Sequence, residues 1–165
     1  MTAFELAGQV VERLRKKNWK ISTAESCTGG LVARYLTSVS GASEVFEYGI
    51  VSYANRIKIQ ELGVSPQTLE EFGAVSRDTA LQMAQGVRRK AQSDWGISTT
   101  GIAGPTGGTL QKPVGTVHIA VCGAQVRLHR KLTLDPNGGR EEIRMEAAKA
   151  LLQLLLEALN DASAT

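Results

Sequence analysis

Thr23-Ala24-Glu25-Ser26-Cys27-Thr28-Gly29-Gly30-Leu31 is the stretch whose reading decides the fold. Just before it, Trp19 to Ala24 has the character of a short buried strand. Just after it, Leu31, Val32, Leu36 and Val39 recur at roughly helical spacing. The stretch therefore reads as the turn from a strand into a helix spanning about Thr28 to Thr37. In an open α/β sheet such a turn lies at the carboxyl end of the strand, where the ligand crevice is found. The first backbone N–H groups of the following helix lack intrahelical partners and carry the positive end of its dipole. Glycines permit close approach of a ligand. A hydroxyl at Ser26 beside such donors suits a nucleophile next to an oxyanion hole. It equally suits a helix cap supplied by Ser26 or Thr28, and the stretch alone leaves both readings open.

Working outward, Phe4 to Lys17 has an amphipathic helical pattern and a basic end at Arg13, Arg15, Lys16 and Lys17. That end reads as a solvated helix terminus whose cations complement the dipole, with a nucleic-acid patch as the competing reading. Val45 to Ala54 reads as a second strand. Asn55 opens a short helix, so Tyr53 falls at a strand end and Lys58 about one turn further on. Ser65-Pro66 starts another short helical piece, and Ser76 starts a longer helix to about Ala91. Trp95 to Thr100 is the third strand. It runs into a second glycine-rich loop, Gly101 to Thr109 followed by Leu110 to Pro113. This loop matches neither the P-loop nor the dinucleotide fingerprint. Val114 to Val121 and Gln125 to Leu134 flank a tight connection and read as a β-hairpin. Arg140 to about Leu159 forms the last helix, with residues 160–165 expected to fray. The expected architecture is a three-layer α/β/α sandwich with a mixed, mostly parallel sheet of about five strands, one antiparallel hairpin included.

At 165 residues the chain is expected to form one domain with a sizeable core. The formal net charge of +3 suits an anionic small ligand as well as nucleic acid. Eight aromatic residues (three Tyr, three Phe, two Trp) scattered along the chain give a nucleic-acid surface little to stack with. No signal-peptide pattern and no apolar run of membrane-spanning length is visible, so a cytoplasmic protein without a membrane partner is expected. Cys27 and Cys122 read as free thiols. With only His118 and His129, a Ser-His-Asp triad and a His-rich metal centre are both disfavoured, and no metal is expected. His118 reads as a surface or satisfied strand histidine. Cys27 has no evident His partner and reads as a small buried residue. A serine can instead be activated by a lysine of lowered pKa or by a tyrosine, which makes Lys58 and Tyr53 candidates.

The segments TAESCTGGL, GIVSYANRIK, GAVS and TGIAGPTGGTLQKPVGTVHIA, taken together and in this order, resemble the CinA C-terminal domain family. Its stand-alone members include nicotinamide mononucleotide deamidases of the PncC type. The resemblance implies a metal-independent, cofactor-free amidohydrolase that converts nicotinamide mononucleotide and water to nicotinate mononucleotide and ammonia in pyridine nucleotide recycling. It also implies the single-domain form rather than the larger one with an added N-terminal domain. The family's catalytic Ser, Tyr and Lys fall on Ser26, Tyr53 and Lys58. The expected substrate-binding residues are Glu25, Cys27, Thr28, Gly29 and Gly30 on the first loop, and Thr100, Gly101, Ala103, Gly104, Gly107, Gly108 and Thr109 on the second. Lys112 and Arg140 complete the set as candidate phosphate partners, with a loop cation and a local salt bridge as the respective alternatives. Two rival readings remain: a non-catalytic nucleotide sensor or competence- or damage-related partner protein, and a nucleic-acid binder. A homo-oligomer is compatible with so compact a chain, although no segment marks an interface.

Overall fold

Five strands form one sheet in the order β2-β1-β3-β4-β5 in the computed structural model, which describes residues 1–163. The strands are β1 (Ile21–Glu25), β2 (Phe46–Val51), β3 (Trp95–Gly101), β4 (Thr116–Cys122) and β5 (Arg127–Thr133). β1 pairs in parallel with both β2 and β3, while β3–β4 and β4–β5 are antiparallel. Four of the five strands therefore point the same way, and the hairpin closes one side of the sheet as expected.

The helices are α1 (Ala3–Lys17), α2 (Leu31–Thr37), α3 (Asn55–Leu62), α4 (Pro66–Phe72), α5 (Arg77–Ala91) and α6 (Arg140–Ser163). α1, α2 and α6 pack on one another and cover one face, while α5 covers the other with α3 and α4 against it. This is a three-layer α/β/α arrangement. Strand alternation divides the two cores. Ile21, Ile97, Val117, Ile119 and Val121 meet Leu6, Val10, Leu14, Leu151 and Leu155 on the first face. Ala24 and Ala120 lie on the second, against Met83 and Val87 and against Ala80 and Ala84 respectively. α5 runs very close to α3: a Cβ built on Gly86 would stand 1.8 Å from the Leu62 carbonyl oxygen, so only glycine fits there.

α1 begins with a capping box. Thr2 Oγ1 accepts from the Glu5 N–H, and Glu5 Oε2 accepts from the Thr2 N–H. Its basic end is taken up locally. Arg15 pairs with Glu44, Lys16 with Glu12, and Arg13 donates to Asn160. α6 continues helical through Ser163, with Ala158 and Leu159 buried. Positions 164–165 lie outside the described residues.

The sheet brings three chain segments to one edge. Glu25 is in register with Val51 and with Thr99, and Gly101 with Val117. The turn after β1, the segment after β2 and the loop between β3 and β4 all leave from that edge. The chain passes from β1 outward to β2 and then returns to β3 on the other side of β1. This reversal is where open α/β sheets hold their ligands.

Candidate active site

Ser26 follows β1 directly and is 9% exposed. Lys58 lies in α3 and is buried at 1% exposure. Its Nζ is 3.0 Å from Ser26 Oγ, 2.6 Å from the Ser52 carbonyl oxygen and 3.4 Å from the Tyr53 carbonyl oxygen. No carboxylate pairs with it among the described residues. Burial disfavours the charged amine, and its pKa falls from 10.5 to about 8. Two residues 32 positions apart are thus joined as a hydroxyl and an amine that is readily neutral. The Tyr53 side chain stands outside this pair. It is 60% exposed, and its hydroxyl accepts from Arg140 at 3.0 Å. Tyr53 meets Lys58 through its carbonyl instead.

The first glycine turn is built differently from the sequence expectation. Glu25, expected to face substrate, is 1% exposed and points its carboxylate into the start of α2. Oε1 accepts from Thr28 Oγ1 at 2.6 Å, Gly30 N at 3.2 Å and Val32 N at 2.9 Å, and Oε2 accepts from Ala33 N at 3.1 Å. The orphan donors of the helix are therefore consumed internally, and the positive end of its dipole is neutralised by a residue of the preceding strand. The Thr28 side chain is likewise internal: its hydroxyl donates to Glu25, so the Thr99 hydroxyl, 2.8 Å away, donates to it. The Gly29 N–H is spent on the Ser26 carbonyl oxygen at 3.1 Å. Among the described residues, the Thr28 N–H forms no hydrogen bond and that of Cys27 approaches only its own thiol. These two are the donors of the turn that the surrounding protein leaves unspent. Cys27 is 5% exposed, and burial pushes its thiol up to about 12, which favours the protonated form.

Arg144, which no local sequence signal singles out, holds this turn from α6. Its Nε donates to the Cys27 carbonyl oxygen at 3.1 Å and its NH2 to the Thr28 carbonyl oxygen at 3.3 Å, while NH1 bonds Glu141 at 2.9 Å. Gly29, at φ +58°, makes room for it: a Cβ there would be 2.8 Å from Arg144 NH2.

The second loop opens onto the same edge. The N–H groups of Gly104, Thr106, Gly107 and Gly108 have no protein partner among the described residues, a set suited to an anion. Arg140 reaches across with NH1 on the Gly104 carbonyl oxygen at 2.8 Å, joining this loop to Tyr53. Several residues expected to contact a ligand are engaged within the fold. Thr100 is 1% exposed and donates its hydroxyl to the Ala74 carbonyl oxygen. Gly101 lies where a Cβ would strike Val117, and Ala103 is buried. Thr109 closes its own turn with Lys112, through N–H to carbonyl and hydroxyl from N–H. Lys112 donates Nζ to the Phe72 carbonyl at the end of α4, so its charge serves a helix terminus.

The two histidines bond each other, His118 Nδ1 to His129 Nε2 at 2.8 Å. Burial, with the neighbouring His129, lowers His118 to about 4, so it is neutral at pH 7. Neither hydrogen-bonds Ser26. No group of three or more His, Cys, Asp or Glu residues suited to a metal ion exists among the described residues, and no described helix is long and apolar enough to cross a membrane. A cavity of about 460 Å³ lined by Trp19, Trp95, Arg88 and Val126 lies at the opposite edge of β1 and β3, away from the Ser26–Lys58 pair.

The family model for the CinA C-terminal domain matches residues 3–159. A CinA-like protein of Kosmotoga olearia is 49% identical over 150 residues, which are 91% of this chain and 36% of that protein. A CinA-like protein of Anaeromyxobacter dehalogenans is 48% identical over 160 residues, 94% of this chain and 38% of that protein. The chain thus spans little more than a third of the length of these relatives. Among solved structures, a competence/damage inducible protein, CihA, from Agrobacterium tumefaciens superposes with a TM-score of 0.92 at 43% identity, covering 96% of this chain and 95% of that one. A CinA-superfamily protein from Enterobacter cloacae superposes with a TM-score of 0.92 at 32% identity, covering 96% and 93%. Matched from the start of α1 into α6, over residues 3–159, the chain belongs to the CinA C-terminal domain family.

Proposed function

We propose that the chain is an amidohydrolase that converts nicotinamide mononucleotide and water to nicotinate mononucleotide and ammonia, as part of pyridine nucleotide recycling. The observation that carries the proposal is the buried contact of 3.0 Å between Lys58 Nζ and Ser26 Oγ, with the amine lowered to about 8. A neutral Lys58 has two N–H bonds and one lone pair. The Ser52 and Tyr53 carbonyls take the N–H groups, which turns the lone pair toward the Ser26 hydroxyl.

In this reading Ser26 Oγ attacks the carboxamide carbon as its proton passes to Lys58 Nζ. The oxyanion is received by the Thr28 N–H, with that of Cys27 beside it. One such donor is worth about 2.7–4 kcal/mol of barrier. Lys58 returns its proton to the departing nitrogen, and ammonia leaves an acyl-enzyme. A water molecule then attacks the acyl carbon, gives its proton to Lys58, and releases the carboxylic acid as Ser26 regains its hydrogen. Tyr53, placed on Arg140 and away from the proton path, acts on the substrate from the rim. Arg140 and the open N–H groups of Gly104, Gly107 and Gly108 are the groups assigned to the phosphate.

The test is ammonia release from nicotinamide mononucleotide in the presence of a chelator, for wild type and Ser26→Ala. Turnover in the wild type, lost in the variant with its fold intact, is the expected result. Absence of turnover by folded wild type would defeat the proposal. The reading left would then be a non-catalytic nucleotide-binding protein, tested by calorimetric binding of the same mononucleotide.

A further inference from the structure

We infer that Arg144 is a positioning residue for the oxyanion hole, aiming and polarising the Thr28 N–H through the peptide that carries it. The inference rests on the hydrolase reading of the same site. The argument begins with the peptide plane. The carbonyl of Cys27 and the N–H of Thr28 belong to one trans peptide, so they point in opposite directions. Arg144 Nε, at 3.1 Å, fixes that carbonyl from the α6 side. The N–H is thereby turned to the other side, where it has no protein partner among the described residues.

The next peptide is fixed the same way. Arg144 NH2 holds the Thr28 carbonyl at 3.3 Å, and the opposed Gly29 N–H closes on the Ser26 carbonyl at 3.1 Å. One guanidinium thus sets two successive peptide planes, and its planar fork suits the task better than an ammonium would. It also places a positive charge on the oxygen end of the Thr28 donor. Hydrogen-bonded groups polarise their neighbours in chains, so this N–H becomes a stronger donor to a developing negative charge.

The design answers a problem created at Glu25. In many α/β sites the helix dipole supplies the positive field. Here the Glu25 carboxylate, held by four donors, cancels that field at the start of α2. Arg144 restores a fixed positive charge behind the turn. The missing side chain at Gly29 completes the fit, since a Cβ would come within 2.8 Å of the guanidinium. Glu141, bound to NH1 at 2.9 Å, holds the fork in orientation.

The experiment compares wild type, Arg144→Lys and Arg144→Gln in three readouts: steady-state hydrolysis of nicotinamide mononucleotide, the second-order rate of Ser26 labelling by a fluorophosphonate, and the ¹⁵N–¹H shift of Thr28. The expected result is a fall in kcat of about 10²-fold or more in Arg144→Gln. KM stays within about threefold, labelling slows in parallel, and the Thr28 amide proton moves upfield. Arg144→Lys is expected to fall between, and added guanidinium ion at low millimolar concentration to restore part of the activity of Arg144→Gln. Variants with wild-type kcat and labelling rate, in a wild type that turns over, would overturn the inference and leave the hydrolase reading intact. A wild type with neither turnover nor Ser26 labelling would overturn both. A loss of kcat that follows the loss of folded protein, with the Thr28 shift unmoved in the folded fraction, would assign Arg144 to stability and also overturn it.

Discussion

Replacing Glu25 by Gln asks whether the first turn of α2 depends on a buried negative charge or on shape alone. Gln has the same length and volume, so packing is preserved. One amide oxygen can still accept from Thr28 Oγ1, Gly30 N and Val32 N, all of which bond a single oxygen of the carboxylate. The other position becomes an NH₂ facing the Ala33 N–H, which the carboxylate accepts at 3.1 Å. That contact becomes donor against donor. Losing a hydrogen bond to a charged group costs about 1.5–3 kcal/mol. Removing a charge from a partly buried helix N-terminus costs up to about 2 kcal/mol more. Relief of the carboxylate's burial works the other way and is worth about 1–2 kcal/mol on the scale of buried ionic groups that prove neutral on replacement. The net expectation is a loss of about 2 kcal/mol. For a chain of this size that lowers Tm by about 4–8 °C. Thermal unfolding followed by circular dichroism at pH 7, with urea titration for the free energy, measures it. A Tm within 2 °C of wild type would refute the reasoning, because it would mean that the four donors are equally well served by a neutral amide.

Three further outcomes are expected. With Lys58 lowered to about 8, kcat/KM should rise about tenfold per pH unit below pH 8 and level off above it; Lys58→Arg, which cannot become neutral in this range, should lose about 10²–10⁴-fold. The same shift has a stability consequence. The unfolded chain binds more protons between pH 8 and 10.5, so the penalty of burying charged Lys58 is fully present below pH 8. It is relieved across that window, and wild type should gain stability there relative to Lys58→Met; a flat difference in urea midpoints would contradict this. Gly86→Ala would stabilise an isolated helix by about 1 kcal/mol, but here the added Cβ falls 1.8 Å from the Leu62 carbonyl oxygen. A loss of about 1–3 kcal/mol is therefore expected, read as a lower urea midpoint.

Much of the fold was legible because it is written in local patterns. The strand before Ser26, the amphipathic α1, the hairpin around Gly123 and the long α6 each follow from periodicity and turn residues within a few positions of one another. The order of the loops along the chain also implied that both glycine-rich segments leave strands of one sheet. Strand-end and adjacent-helix positions, and then the resemblance, pointed to Ser26, Tyr53 and Lys58; Ser26 Oγ and Lys58 Nζ meet, while Tyr53 reaches Lys58 only through its backbone carbonyl.

The division of labour inside the site was decided by tertiary structure. Glu25 carries the same local signal whether it faces a ligand or its own helix. Only the way α2 folds back over β1 turns its carboxylate toward Val32 and Ala33. Lys112 reads in sequence as a phosphate partner or a loop cation alike, and the approach of α4 sets its ammonium on the Phe72 carbonyl. Arg144 lies 117 positions from Cys27, with no spacing rule linking them. Periodicity determines which face of an element is apolar, because that depends on neighbours three or four residues away. Which donor is spent and which is left free depends on groups brought together by the sheet, and that is where Lys58 loses its water and Thr28 keeps an open N–H.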